Sequence, residues 1–434
     1  MRLSIFKNRV FPIIIILVSI LISCGSKSKD NLTQNNEILN QVHDDNLTIA
    51  DNNIIVGANR LEDYLPLLKG KQVGVVANQT SVIFKSDTNT YIHLVDSLLT
   101  LGIDLKYVFA PEHGFRGTAD AGEHIKDSID KKTGVSIISI YGDNKKPKLQ
   151  YLKETTTHEE DIEPEIPAID IMVFDIQDVG ARFYTYISTL HYVMEACAEA
   201  NIPVLILDRP NPNGHYIDGP ILEMANKSFV GMHPIPVVHG MTIGEYAQMI
   251  NGETWLHNKI TCNLTVIPVK NYSHHKPYSL PIKPSPNLPN DIAISLYPSL
   301  CFFEGTNVSA GRGTSNQFQV YGSPFLNKDN YTFQFTPQSN EGAKYPKHKG
   351  ELCYGENLKD VKPLNQINLN YLIKAYKNSV KKDEFFNSFF IKLAGTKQLQ
   401  QQIEDGVSEK DIRNSWSKGL SEFKKTRAKY LIYE

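Results

Sequence analysis

Five short apolar runs, separated by segments with helical spacing, constrain the fold of this 434-residue chain more than any other feature. Helical spacing is clearest over residues 91–101 and 185–200. Continuous apolar strands that alternate with helices are typical of a parallel sheet covered on both faces. We therefore predict an α/β fold with a doubly wound parallel sheet. The predicted strands are residues 71–77, 105–110, 135–141, 169–175 and 202–208.

The N-terminus reads as a targeting segment. Residues 1–23 have a basic start and an apolar stretch that is too short for a comfortable membrane span. The stretch runs into Leu-Ile-Ser-Cys-Gly, which resembles the lipobox of bacterial lipoproteins, where the signal is removed and the cysteine, here Cys24, is lipidated. A plain secretory signal with a chance cysteine is the alternative. Residues 24–53 are polar and poor in apolar side chains, which predicts a flexible tether.

The character of the sequence changes near residue 279. Four prolines within 281–289 interrupt regular structure, and helical patterns return at 368–379 and 408–430. We predict an α/β domain over 54–278, followed by a smaller α+β domain over 279–434.

Composition and missing motifs exclude several classes of function. A net charge of −2 argues against a strongly basic nucleic-acid binder, although a few arginines can still hold a small acidic ligand. The five scattered cysteines form no CxxC pair and suggest no disulfide scaffold. HExxH, a Walker loop, GxSxG and a GxGxxG after the first strand are all absent from the sequence. We therefore expect no metal and no cofactor.

Polar residues follow four of the predicted strands at the point where each strand ends. The carboxyl ends of parallel strands meet at one edge of a sheet, and ligands bind outside that edge in open α/β folds. We therefore expect an active site there. The substrate-binding candidates at these ends include Asn78, Gln177, Asp208, Arg209 and Asn211.

Glu112 is the principal catalytic candidate. It follows a proline at the end of a buried strand, where partial desolvation suits a general acid. The alternative is a helix-capping acid or an ion-pair partner of Arg116. His113 is a second catalytic candidate, but as a metal ligand it lacks a partner at a recognisable spacing.

The segment after the 169–175 strand carries further candidates. Asp178 is a candidate acid or base, although an aspartate at a strand end often only binds the backbone of a neighbouring loop. Arg182 offers a guanidinium, and Tyr184 and Tyr186 offer aromatic planes, which together suit an anionic sugar. The tyrosines fit the hydrophobic core equally well.

A glycine-rich loop in the predicted second domain carries Glu304, Asn307 and Arg312. Its glycines permit tight turns that project these side chains. With Asn287 in the proline-rich stretch, the loop suits the opposite wall of an interdomain cleft, a common place for ligands. A purely structural turn is the alternative.

Six segments, in order along residues 54–434, resemble the NamZ family of exo-β-N-acetylmuramidases. They are PEHGFRG (111–117), FDIQDVGARFYTYISTL (174–190), LDRPNPNG (207–214), VGMHPIPVVHGMTIGEYA (230–247), PSPNLPN (284–290) and CFFEGTNVSAGRGT (301–314). The resemblance implies a Rossmann-like N-terminal domain, an auxiliary C-terminal domain and an active site in the cleft between them. It also implies an exo-acting glycoside hydrolase of cell-wall turnover. Such an enzyme releases terminal β-1,4-linked N-acetylmuramic acid from the non-reducing end of peptidoglycan fragments.

The resemblance also implies roles for the candidate residues. The family's central glutamate falls on Glu112, which is expected to protonate the glycosidic oxygen. The lactyl carboxylate of N-acetylmuramic acid calls for an arginine in the pocket, and the candidates are Arg116, Arg182 and Arg312. The second catalytic group is left open between Asp178, Glu304, His239 and the substrate's own acetamido group. Retention and inversion are equally open.

Two other classes of function fit part of the sequence. A non-catalytic lipoprotein that binds muropeptides for a transporter also has two lobes and a cleft, but it has no need of Glu112 as an acid. An ester or amide hydrolase needs a nucleophile with a base, or a metal, and the sequence offers no clear set of either. With Cys24 lipidated, we expect an exported, membrane-anchored protein facing the periplasm, with a glycan as partner and no nucleic acid.

Overall fold

A seven-stranded central sheet organises the chain in the computed structural model. The structure describes residues 53–85, 90–117, 123, 126–153 and 168–434. The predicted signal peptide, Cys24 and nearly all of the predicted tether lie outside these residues. None of the described helices is long and apolar enough to cross a membrane.

Six of the seven strands in the central sheet are parallel, and one short edge strand is antiparallel. The order across the sheet is β5-β6-β4-β1-β7-β8-β9. The parallel strands therefore follow the chain order third, second, first, fourth, fifth, sixth, as in doubly wound dinucleotide-binding folds. This confirms the predicted fold class. In chain order the strands are β1 (Gln72–Ala77), β2 (Val82–Phe84), β3 (Tyr91–His93), β4 (Asp104–Ala110), β5 (Ser128–Ile129), β6 (Ser136–Ser139), β7 (Ile171–Asp175), β8 (Val204–Leu207), β9 (Leu264–Ile267), β10 (Val320–Ser323), β11 (Phe333–Phe335) and β12 (Cys353–Asn357).

Helices connect the strands, and capping residues mark where some of them begin. Helix α4 begins with a capping box, in which Thr242 and Glu245 each accept a backbone N–H of the other. In chain order the described α-helices are α1 (Leu61–Leu68), α2 (Leu94–Thr100), α3 (Tyr186–Ala200), α4 (Ile243–Gly252), α5 (Asp291–Leu300), α6 (Asn370–Asn378), α7 (Phe389–Ala394), α8 (Gln398–Glu404) and α9 (Glu409–Arg427).

One predicted helix is shorter than the sequence pattern suggests. The first three residues of the 91–101 segment form β3, which pairs with β2 in a two-stranded sheet. The helix begins only at Leu94, because the imidazole of His93 accepts the N–H of Val95 and caps the first turn.

The C-terminal part contains a three-stranded antiparallel sheet, in the order β10-β12-β11, and helices α6–α9. Helices α6 and α9 confirm the helices predicted at 368–379 and 408–430. One continuous hydrophobic core runs from the central sheet into this part, since both supply buried apolar side chains to it. The division predicted at residue 278 stays a prediction.

The end of the chain folds back onto the central sheet. The hydroxyl of Tyr433 donates to Asp208 at 2.6 Å and accepts the N–H of Val269 at 2.8 Å. On α9, the guanidinium of Arg413 donates to both carboxylate oxygens of Asp218. These contacts fix the C-terminal part against the sheet and so determine what faces the ends of its strands.

Candidate active site

A partly open cavity of about 250 Å³, the inner cavity, lies where the ends of β4 and β6 meet the C-terminal part. Most of its wall is aromatic or apolar, and a few polar groups face into it. The lining residues are Glu112, His113, Tyr141, Phe183, Tyr184, Thr185, Phe229, Val230, Ser285, Leu288, Tyr297, Cys301, Glu304, Arg312, Phe318, Phe389 and Leu393.

Glu112 is the half-buried carboxylate on the sheet side of the inner cavity. It stands just past the end of β4, in a turn where His113 has a φ of 70° and Gly114 a φ of 77°. A positive φ is uncommon for a residue other than glycine, so the turn at His113 is a constrained feature. It places Glu112 and His113 side by side on the cavity wall.

Two hydroxyl groups hold the Glu112 carboxylate. Tyr141 donates to Oε1 at 2.9 Å, and Thr185 donates to Oε2 at 2.7 Å. Burial, followed by the neighbouring charge of Glu112, raises the pKa of Tyr141, so its phenol stays protonated and remains a donor. The two hydroxyls therefore fix the orientation of the carboxylate on the cavity wall.

Sequence reasoning missed both Tyr141 and Thr185. Tyr141 lies just past β6, and the candidate residues came from the ends of the other four predicted strands. Thr185 lies between two tyrosines that were singled out, and its own hydroxyl was overlooked. Inspecting the end of every predicted parallel strand would have found Tyr141.

The opposite wall carries an ion pair from the glycine-rich loop. Arg312 Nε lies 2.9 Å from Glu304 Oε1, and about a quarter of each side chain is exposed. Burial works to raise the pKa of Glu304, but the positive charges of Arg312 and Lys347 outweigh it and hold the pKa below its usual range. Glu304 is therefore ionised at neutral pH. Its partner Arg312 uses Nε for this bond.

Tyr184 contributes an aromatic face to the cavity, whereas Tyr186 lies beneath it. The hydroxyl of Tyr184 donates to the carbonyl of Pro284 at 2.7 Å, which ties the proline-rich stretch to this wall. Tyr186 is buried, and its hydroxyl donates to the backbone carbonyl of Glu112 at 3.3 Å. The two rings meet edge to face at 4.9 Å. Tyr186 thus supports the turn that carries Glu112.

The carboxylates at the ends of β7 and β8 serve the fold. Asp175 accepts two bonds from the guanidinium of Arg209, at 2.6 and 2.9 Å, with both side chains buried. Asp208 accepts from Thr242, Tyr433 and two backbone N–H groups. Neither Asp208 nor Arg209 lines the inner cavity. The polar atoms of each bond to neighbouring elements of the fold instead. The substrate-binding role expected for these two residues has no support in their positions.

Asp178 and His239 form a buried pair outside the inner-cavity lining. His239 Nε2 lies 3.7 Å from Asp178 Oδ2, which is too long for a hydrogen bond. Neither His239 Nε2 nor Asp178 Oδ1 has a hydrogen-bond partner. Burial raises the pKa of Asp178 to about 7 and lowers the pKa of His239 to about 3. The pair is uncharged over part of the neutral range.

Two of the three candidate arginines lie away from the cavity. Arg182 is fully buried, and its guanidinium donates to four backbone carbonyls, two of them at Leu393 and Ala394 in the C-terminal part. Arg116, whose side chain is about a third exposed, pairs at 2.8 Å with Asp130, a buried carboxylate. Arg182 and Arg116 therefore both have structural partners, and Arg312 alone of the three lines the inner cavity.

Several predicted binding amides also serve the fold. Asn78 Oδ1 accepts from Thr80, and Gln177 Nε2 donates to the carbonyls of Asp178 and Pro210. Asn211 Nδ2 donates to the carbonyl of Met241. These bonds close the loops that follow β1, β7 and β8.

Two asparagines of the C-terminal half keep unused polar atoms. Asn287 Nδ2 donates to the carbonyl of Gly342 at 2.8 Å, while its Oδ1 is buried without a partner. Both side-chain polar atoms of Asn307 are buried without a partner. Neither residue lines the inner cavity, although Ser285 and Leu288 beside Asn287 do.

The inner cavity combines three chemical capacities. Glu112 supplies a carboxyl group held by neutral donors, Glu304 supplies an ionised carboxylate, and Arg312 supplies a guanidinium. Aromatic and apolar side chains surround these groups. Among the described residues, no group of three or more His, Cys, Asp or Glu side chains is arranged to hold a metal ion. The arrangement suits acid–base chemistry on a ring-shaped substrate that carries an anionic group.

Family models match almost the whole described chain. Residues 73–292 match the N-terminal domain of the exo-β-N-acetylmuramidase NamZ, and residues 295–433 match its C-terminal domain. A peptidoglycan β-N-acetylmuramidase NamZ from Bacillus subtilis (strain 168) is 40% identical over 401 residues, which is 86% of this chain and 89% of that protein.

Two solved structures are similar to this chain, both of DUF1343 family proteins from Bacteroides fragilis NCTC 9343. The first is 45% identical with a TM-score of 0.76, and the match covers 88% of this chain and 99% of that one. The second is 27% identical with a TM-score of 0.74, and the match covers 89% and 100%.

Proposed function

The chain belongs to the exo-β-N-acetylmuramidase NamZ family, and we propose that it releases N-acetylmuramic acid from the non-reducing end of peptidoglycan fragments. It is a glycoside hydrolase that acts on β-1,4-linked N-acetylmuramic acid. The observation that carries this proposal is the Glu112 carboxyl group on the wall of the inner cavity, with each of its oxygens accepting a hydrogen bond from a hydroxyl group.

Glu112 acts as the general acid in this proposal. Cleavage of a glycosidic bond requires a proton on the departing oxygen as positive charge develops at the anomeric carbon. Tyr141 and Thr185 keep the carboxyl group in one orientation, which reduces the reorganisation needed at the moment of transfer. The aromatic wall limits access of water to the proton before it is transferred.

Glu304 is the protein group best suited to oppose the developing positive charge. It lines the same cavity and is ionised at neutral pH, whereas Asp178 and His239 lie buried outside the lining. An ionised carboxylate stabilises an oxocarbenium-like transition state or activates water. The acetamido group of the substrate is the alternative, and it would make Glu304 a positioning residue for Arg312.

Arg312 selects N-acetylmuramic acid over N-acetylglucosamine in this proposal. The two sugars differ by the lactyl group, which ends in a carboxylate. Glu304 anchors Arg312 through Nε and leaves the outer nitrogens of the guanidinium for a bidentate bond to that carboxylate. Lys347, a second cation near this wall, already donates to three backbone carbonyls.

The small size of the inner cavity supports exo action. At about 250 Å³ and lined mostly by buried side chains, it suits one terminal sugar better than the middle of a glycan. The fold that encloses it is fixed by Arg182, which joins the central sheet to Leu393 and Ala394. Binding of a terminal residue then determines which bond reaches Glu112.

We also propose that the chain is an exported lipoprotein attached through Cys24 and facing the periplasm. The lipobox-like sequence and the polar segment after it support this attachment. A Cys24→Ser variant should move from the membrane fraction to the soluble fraction, and should no longer incorporate a labelled fatty acid. Equal lipid labelling of the variant would contradict the assignment.

The decisive experiment compares two β-1,4-linked disaccharides with N-acetylglucosamine at the reducing end, one with terminal N-acetylmuramic acid and one with terminal N-acetylglucosamine, using the full chain and its Glu112→Gln variant. A sugar leaving group is needed because 4-nitrophenolate departs without the help of a general acid. We expect release of N-acetylmuramic acid and a loss of about 10²- to 10⁴-fold in the variant. Glu62→Gln, at an exposed glutamate that pairs with Lys270, is the matched control. Full activity in the Glu112 variant would assign the acid elsewhere. Tight binding without release by the unchanged chain would indicate a binding protein instead.

A further inference from the structure

We propose that a second cavity holds the sugars on the leaving-group side of the cleaved bond. This outer cavity is formed by residues 342–347 together with Glu304, Ser309, Ala310 and Arg312, and it has a volume of about 760 Å³. The inference rests on the proposed function, since it takes the terminal sugar to occupy the inner cavity. Glu304 and Arg312 line both cavities, so the two meet at this ion pair.

The two cavities differ in burial as the two sides of an exo-acting site should. Most of the inner-cavity lining is buried, as at Leu288 (1% exposed) and Tyr297 (7%), and Phe389 at its edge is 36% exposed. The outer cavity includes Tyr345, which is 91% exposed, and Lys344, whose side chain is 58% exposed. A glycan that enters with its terminal sugar first therefore leaves its remaining sugars in the outer cavity. The volumes of 250 and 760 Å³ match one sugar inside and more than one outside.

Tyr345 is the residue that the outer cavity offers for recognition of a sugar. Its ring is the most exposed large apolar side chain among the described residues. Aromatic planes carry a large apolar surface with a polar tip, and the C–H face of a pyranose packs against such a plane. We assign Tyr345 as the stacking platform for a sugar on the leaving-group side.

The segment that carries Tyr345 is fastened to the loop that carries Arg312. The ammonium of Lys347 donates to the carbonyls of Phe303, Thr306 and Val308. Pro346 packs so closely on Gly313 that a Cβ there would lie 2.5 Å from it. These contacts hold the Tyr345 backbone in a fixed position relative to the ion pair of Glu304 and Arg312, which lines both cavities.

A third cavity is the competing path for the leaving sugars. It has a volume of about 300 Å³, shares Ser285 with the inner cavity and carries Tyr91, which is 49% exposed. It is smaller than the outer cavity and shares one lining residue with the inner cavity rather than two. Tyr91 is consequently the matched control for Tyr345.

The test compares two substrates that share the terminal N-acetylmuramic acid. One is the 4-nitrophenyl glycoside, and the other is a tetrasaccharide of alternating N-acetylmuramic acid and N-acetylglucosamine. In the full chain, Tyr345→Ala should lower the ratio of kcat/KM for the tetrasaccharide to that for the glycoside by about fivefold to tenfold. Tyr345→Phe should keep the ratio, because the ring remains. Tyr91→Ala should keep it as well.

Three results would overturn the assignment. An equal loss on both substrates would make Tyr345 a structural residue, and unchanged kcat/KM on both would remove it from recognition. A lower ratio in Tyr91→Ala with no change in Tyr345→Ala would place the sugars in the third cavity. If the unchanged chain releases N-acetylmuramic acid from neither substrate, the proposed function fails before any variant is compared, and the subsite assignment falls with it.

Discussion

The inner cavity and the carboxyl ends of β7 and β8 are both built from polar residues that follow buried strands, but they use those residues differently. At the ends of β7 and β8, Asp175 and Asp208 are fully buried and accept bonds from neighbouring side chains and backbone. In the inner cavity, Glu112 and Glu304 remain partly exposed to the cavity space. A carboxylate's place at a strand end therefore does not tell whether its role is structural or chemical. Its hydrogen-bond and ion-pair partners are the better guide.

The physical reason lies in the cost of burying charge. A carboxylate removed from water is costly unless a cation or several donors compensate for it. At the ends of β7 and β8, neighbouring side chains and backbone N–H groups supply that compensation. The two carboxylates therefore have few hydrogen-bonding positions left for a ligand. At the inner cavity, Glu112 and Arg312 face the cavity space, where a substrate can reach them. Variants at the two regions should therefore affect different quantities.

The largest stability effect is expected at the buried end of β7. Arg209→Gln removes the partner of Asp175 and leaves a buried charge uncompensated, which should lower the free energy of unfolding by about 3–5 kcal/mol. Lys270→Gln, at an exposed ion pair with Glu62, should cost less than about 1 kcal/mol. Denaturant unfolding of the two variants measures both effects. Equal stability of the two would show that the ends of β7 and β8 are not structural.

The second effect concerns the pH dependence of stability through Asp178. Burial raises its pKa from the ordinary value near 3.8 to about 7, so between these values the folded state binds a proton more tightly than the unfolded chain. Rising pH across this window therefore lowers the free energy of unfolding through this group. Asp178→Asn removes that penalty and should stabilise the protein by roughly 2–4 kcal/mol at pH 8 relative to pH 4.

The measurement for Asp178 is the difference between the unfolding free energies of the two proteins from pH 4 to pH 8. Taking the difference cancels the opposite contribution of His239, whose lowered pKa makes stability rise with pH over the acid range. A difference that stays constant across the window would mean that Asp178 is ionised in the folded state. If Asp178→Asn lost as much activity as Glu112→Gln, Asp178 would instead be a catalytic residue.

A smaller effect, on selectivity, is expected at the cavity arginine. Arg312→Gln should lower the preference for the disaccharide with terminal N-acetylmuramic acid over the one with terminal N-acetylglucosamine by about 10- to 100-fold, because a charged hydrogen-bond donor to the lactyl carboxylate is lost. Arg312→Lys keeps the charge without the fork and should fall between the two. The same substitution at Arg116 should leave the preference unchanged. Equal preference in all four proteins would remove Arg312 from recognition of the carboxylate.

The smallest effect is expected at the hydroxyl groups that hold Glu112. Thr185→Val removes one donor with little change in shape and should lower kcat about threefold to tenfold. Its melting temperature should change little. Thr133→Val, at a hydroxyl that donates to Asp130 outside the inner cavity, is the control. If Thr185→Val lost stability but kept kcat, the role of this hydroxyl would be structural, like that of the groups at the ends of β7 and β8.

Sequence reasoning went furthest where the pattern is local. The five apolar runs predicted the parallel sheet, and each lies within two residues of an observed strand at either end. Glu112, His113, Tyr184, Glu304 and Arg312 were singled out from the sequence, and they do line the inner cavity. Arg182 and Arg209 were singled out by the same reasoning and lie elsewhere, because nothing in a local pattern distinguishes an arginine that binds a ligand from one that binds backbone carbonyls.

By itself, the sequence determined the alternation of strands and helices and the position of Glu112 after a buried strand. Backbone hydrogen bonding and the burial of apolar side chains act over neighbouring residues, so a local pattern carries that information. Only the tertiary structure decided which polar groups share the cavity. Thr185 is 73 residues from Glu112 along the chain, and the ion pair of Glu304 and Arg312 comes from another part of the fold. Contacts across such separations depend on how the whole core packs, and that packing also determines which charges the fold compensates.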